Sequence, residues 1–123
     1  VADLEKGGSD LDLERAAKAL VEYASDGFDT FDMADHYGSA ELIAGRAREI
    51  LQSSYAGSGS VCPARFHTKW CPKPGVMTPQ LVRDAVNERA DRLGVESIDL
   101  LQFHWWAFEF SFHARIGFQG FIF

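Results

Sequence analysis

Cysteine is scarce: only Cys62 and Cys71 occur in 123 residues, too few for a disulfide framework. Two ordinary reduced thiols in an intracellular setting are the expectation. With His67 between them they spell C-x4-H-x3-C, a poor match to common zinc spacings, so no metal site is expected. Positive charge is also in short supply. Twelve Lys and Arg stand against eighteen Asp and Glu, the formal net charge is −6, and no basic run occurs. A nucleic-acid surface, which needs clustered cations, is thereby excluded. No apolar run approaches a membrane span. Neither a secretory signal nor an initiating Met stands at Val1, so the true start is expected upstream. No G-x-G-x-x-G or P-loop appears. The length suffices for one modest domain but not for a complete large α/β enzyme.

What is present is an alternation of periods. Leu13, Ala16, Ala17, Leu20, Val21 and Ala24 recur at helical spacing, with Asp10 or Asp12 as cap and Gly27 as stop. Phe28 to Ala34 predicts a short buried strand. A second helix is expected from about Ala40 to Leu51, with Leu42, Ile43, Ala47, Ile50 and Leu51 on its apolar side. Gln52 to Pro63, containing GSGS, predicts a loop, and Ala64 to Trp70 a second strand. Thr78-Pro79 is a helix start with the cap before a proline, and Gly94 ends that helix. Its expected stripe is Leu81, Val82, Ala85, Val86, Ala90 and Leu93. Ile98 to His104 predicts a third strand. Strands alternating with helices indicate parallel βα units.

Asp32, Lys69 and His104 fall near the C-terminal ends of these three strands, at separations of 37 and 35 residues. Neighbouring parallel strands deliver those ends to one rim, about 5 Å apart. Tyr37 follows on the loop just after Asp32. In α/β barrels that rim carries the active site. Asp32 sits in an otherwise apolar run, where an ionised carboxylate is costly, and Lys69 one strand over is its expected partner.

GFDTFDMADHYGSAE (Gly27 to Glu41) resembles the first signature of the aldo-keto reductase superfamily. FHTKW (Phe66 to Trp70) resembles the segment bearing that family's catalytic lysine, and IDLLQFHWW (Ile98 to Trp106) the segment bearing its active-site histidine. MADHYG, HTKW and LQFHWW look closest to a branch found in plants, algae and bacteria. The resemblance implies a (β/α)8 TIM barrel, present here in part as about three βα units, roughly strands 2 to 4. It also implies NADPH-dependent reduction of an aldehyde or ketone to an alcohol, by a tetrad of Asp32, Tyr37, Lys69 and His104. An ammonium beside a phenol favours the phenolate and so makes Tyr37 a better general acid. Asp32 would hold Lys69, and His104 would orient the carbonyl or share in proton transfer. A cytoplasmic setting follows, or a chloroplast one for a plant or alga.

Trp70, Trp105 and Trp106 are candidate walls of an apolar substrate pocket, although alternation makes one of the adjacent pair ordinary packing. Asp35 and His36 are expected to shape the rim, and Glu41 to favour a helix start. The family's nucleotide contacts lie mainly beyond Trp106. There Ala107 to Phe123 carries six of the ten phenylalanines. Residues 1–106 are therefore expected to be a partial reductase domain and 107–123 a divergent Phe-rich tail. The expectation is a truncated form, inactive alone and prone to self-association through open strand edges. A non-catalytic regulatory or interaction protein on the same partial fold is the alternative.

Overall fold

The computed structural model describes residues 10–56 and 64–105. Cys62, Trp106 and the Phe-rich segment lie outside the described residues. Six elements alternate: α1 (Asp10–Ser25), β1 (Thr30–Asp32), α2 (Ala40–Tyr55), β2 (Arg65–Trp70), α3 (Pro79–Leu93) and β3 (Leu100–Phe103). The strands form a parallel sheet in the order β1-β2-β3, with Asp32 opposite His67 and Lys69 opposite Gln102. Three parallel strands with alternating helices make part of a β/α barrel, open among the described residues.

Local chemistry sets the helix ends. Thr78 Oγ1 accepts from the Leu81 amide at 3.1 Å, and Pro79 follows at the first helical position, where no N–H is needed. Gly94 closes α3 at φ +63°, with the Val95 amide reaching Ala90 O at 3.0 Å. Gly27 (φ +99°) closes α1 the same way: the Phe28 amide reaches Tyr23 O at 3.1 Å, and the two rings meet edge-on at 5.9 Å. Such a left-handed cap with an apolar contact across it explains why β1 is shorter than predicted. Phe28 belongs to the helix end, not the strand. At the other end of α1, Asp12 lies inside the helix and pairs with Arg15 at 3.0 Å. Helix α2 runs on through Tyr55, past the predicted stop at Leu51, because Tyr55 packs against the core.

Helix α2 packs against α1 and α3, and all three helices contribute residues to one core cluster with Phe66 of β2. Phe66 (1% exposed) stacks on Phe31 at 5.4 Å, within a cluster that includes Ala17, Ile43, Ala47, Leu51 and Leu93. Burying one such large side chain stabilises by about 1.5–3 kcal/mol. On α2 the buried row holds Ala44, while Leu42, predicted to face inward, is exposed. β2 alternates strictly: Phe66, Thr68 and Trp70 are buried on the helix side, while Arg65, His67 and Lys69 point to the opposite face. No helix among the described residues is long and apolar enough to cross a membrane.

Candidate active site

The ladder continues past the formal strand ends. Met33 N donates to His67 O, Asp35 N to Lys69 O and His104 N to Trp70 O, each at 2.9 Å. Asp32, Lys69 and His104 are thus carried on three adjacent strands in register. Lys69 Nζ donates to Asp32 Oδ2 at 2.5 Å, and Gln102 Nε2 donates to Asp32 Oδ1 at 3.0 Å. Asp32 is 56% exposed while Lys69 is 14% exposed. The carboxylate expected to suffer burial in its apolar run is therefore largely hydrated. The apolar neighbours Phe31 and Met33 turn toward the other side of the pleat.

Tyr37 belongs to the loop between β1 and α2. Its amide donates to Ala34 O and its carbonyl accepts from Ala40 N, both at 3.1 Å. Lys69 Nζ lies 5.3 Å from the Tyr37 ring centroid, within cation–π range. Lys69 therefore sits between the Asp32 carboxylate and the Tyr37 ring. His36 meets the same ring edge-on at 4.7 Å and pairs with Asp35 at 3.0 Å. Burial works against the charged Asp35 carboxyl. The Cys71 amide (3.0 Å), His36 and the Arg89 guanidinium (3.8 Å) outweigh it and hold the pKa below the ordinary value. Asp35, His36 and Cys71 each bring one donor atom within 4.8 Å of the others. Arg89 already supplies positive charge to that carboxylate, so an added cation would have to compete with it.

Phe103 and Trp105 stack at 5.9 Å, and Trp70 meets Phe103 edge-on at 5.6 Å. Trp70 is buried on the helix side of β2, so this ring group lies across the sheet from Lys69 and Asp32. Alternation then puts His104 on the side of Gln102 and Lys69. Trp70 and Trp105 share a packed aromatic group away from the polar rim.

Gln102 and Arg89 were not among the expected site residues. Gln102 joins the rim, and its signal was its place two residues before His104 on one strand. Glu41, expected at the helix start, stands in the first turn of α2 and is in addition fully buried. Its Oε1 accepts from Thr68 Oγ1 at 2.6 Å. Arg92 Nε and Arg89 Nε approach Oε2 to 2.8 and 3.2 Å without hydrogen-bond alignment, as charge pairs. The signal for Arg89 was an arginine in the row Ala85–Arg89–Leu93, at the spacing of a buried stripe.

The resemblance implies a nicotinamide nucleotide, and the described residues fit its reactive end better than its phosphates. Proton-bearing and charged groups converge at the rim. Two described glycines with positive φ, Gly27 and Gly94, close helix C-termini, where carbonyls and not free N–H groups are presented, so neither cradles a phosphate.

A model of the Aldo/keto reductase family matches residues 2–118 of this chain, running past the three strands into the Phe-rich segment. A search of curated proteins finds none that matches.

Proposed function

The chain belongs to the aldo/keto reductase family, and on that premise we propose that it carries the acid–base machinery of an NADPH-dependent carbonyl reductase. The substrate class is an aldehyde or ketone and the product an alcohol. A reduced nicotinamide, when bound, would supply the hydride. This chain's residues govern the proton. Tyr37 Oη gives it to the carbonyl oxygen as negative charge develops there, which is general acid catalysis. Lys69 faces the phenol and stabilises the negative charge left behind. Asp32 keeps Lys69 charged and in place, and Gln102 fixes the second carboxylate oxygen. His104, on the same side of β3, orients the carbonyl. The likeness of MADHYG, HTKW and LQFHWW to a plant, algal and bacterial branch belongs to this reading and rests on those stretches alone.

One observation carries the proposal: Lys69 Nζ stands 2.5 Å from Asp32 Oδ2 and 5.3 Å from the Tyr37 ring centroid. Three residues from two strands and one loop meet there, although Tyr37 and Lys69 are separated by the whole of α2. The test is Tyr37→Phe in a form of the protein that oxidises NADPH with a small aldehyde. The phenyl ring keeps its place over Lys69 but has no proton to give, so turnover falls by about 10²–10⁴-fold while NADPH binding persists. Near-normal turnover in the variant would remove Tyr37 from the role.

A further inference from the structure

Tyr37 hangs on a loop, yet a proton donor has to be held to a fraction of an ångström. The residue after it, Gly38, adopts φ +58° and gives its carbonyl to Arg92 Nη2 at 2.8 Å. Arg92 belongs to the last turn of α3, and its Nε lies 2.8 Å from Glu41 Oε2 in the first turn of α2. Glu41 is fully buried and takes the Thr68 hydroxyl at 2.6 Å. Thr68 precedes Lys69 on β2 and points to the other face. A continuous set of contacts therefore runs from the strand that carries Lys69, through Glu41 and Arg92, to the loop that carries Tyr37. A Cβ on Gly45 of α2 would stand 2.7 Å from Arg92 O, so a residue with no side chain lets α2 approach the end of α3.

We propose that Arg92 and Glu41 are positioning residues for Tyr37, fixing its ring relative to Lys69 from the far side of the sheet. This rests on the reading of Tyr37 as proton donor, but the geometric claim is separately measurable. Arg92 and Glu41 touch neither substrate nor cofactor in this scheme. Arg89 assists by holding Glu41 and Asp35 at 3.2 and 3.8 Å, at the two ends of the loop.

The test uses NMR on the 123-residue chain without cofactor. Two signals are followed in Arg92→Gln: amide exchange at Tyr37 and Ala40, and the Lys69 Hε resonance, which feels the Tyr37 ring current. Tyr37→Leu calibrates the resonance expected with no ring present. A charge-assisted bond to the loop is lost, so exchange at the two amides accelerates at least about tenfold while α1 amides hold their rates. The Lys69 signal moves toward the Tyr37→Leu value, and Arg92→Lys recovers part of both effects. If Arg92→Gln does not fold, Thr68→Val loosens the same clamp from β2 and is read by the same two signals. An unchanged Lys69 resonance with unchanged loop exchange would overturn the proposal. So would uniform acceleration through α1, β2 and the loop, the mark of a general stabilising role. Neither signal depends on turnover, so a failure of carbonyl reduction and a failure of the clamp remain distinct.

Discussion

Two clusters of charge flank the same strand, and they differ in what surrounds them. On the open face Asp32 meets Lys69 and Gln102, with Asp32 56% exposed. On the helix-covered face Glu41 meets Thr68, Arg89 and Arg92, with Glu41 at 0% and Arg89 at 5% exposure. Neighbouring residues of β2, Lys69 and Thr68, contribute one to each. The open pair can exchange water for protein with little loss, so its geometry matters more than its energy. The covered group cannot, because a charge left alone there has no water to turn to. The cluster that does the proposed chemistry is therefore not the buried one, and a change on the open face can be made without uncovering a buried charge.

The largest effect that would break this contrast is Glu41→Gln. It leaves Arg89 buried without its one fully buried countercharge, at about 3–5 kcal/mol, seen as a large fall in denaturation midpoint. Glu88, which also pairs with Arg89 at 2.7 Å, is 61% exposed and compensates little. Gly45→Ala comes next. It forces a methyl against the Arg92 carbonyl and costs about 1–3 kcal/mol by overpacking, measured the same way. Asp32→Asn on the open face should cost less, about 1 kcal/mol, because the carboxylate itself is 56% exposed although Lys69 is 14% exposed. Equal losses in Glu41→Gln and Asp32→Asn would show that the two faces are not energetically distinct.

The smallest effect is a pH dependence. The Asp35 carboxyl is held below its ordinary pKa, with burial opposing and the Cys71 amide, His36 and Arg89 prevailing. A depressed carboxyl contributes stability that is complete above its unfolded pKa of about 3.9. That contribution disappears as pH falls below this value and through the folded one. Asp35→Asn should therefore flatten part of the acid limb of stability below about pH 4 and leave its shape at neutral pH unchanged. A variant whose acid limb matches the parent's would mean that Asp35 carries none of it.

The βα order was legible because periodicity and end signals agree: Thr78-Pro79, Gly27 and Gly94 stand where their backbone chemistry requires. Asp32, Lys69 and His104 could be brought to one rim from their spacing, since each unit of this kind advances one strand. The fate of Asp32 was not legible. An acid among apolar neighbours suggests burial, but in a pleated strand the neighbours face the other way. The burial of Glu41 was not legible for the converse reason. A carboxylate in a first helical turn ordinarily faces solvent, and only the approach of α3 covers this one.

By itself the sequence determined the elements, their parallel order and the strand ends at which charge collects. Caps, glycines and apolar period act over a few residues and need no partner far along the chain. Only the tertiary structure decided which charges are wet and which are dry. Exposure of Asp32 and burial of Glu41 depend on what lies across the sheet and across α2, and no local pattern contains that. The hold of Arg92 on Gly38, 54 residues apart, exists only once α3 has packed against α2.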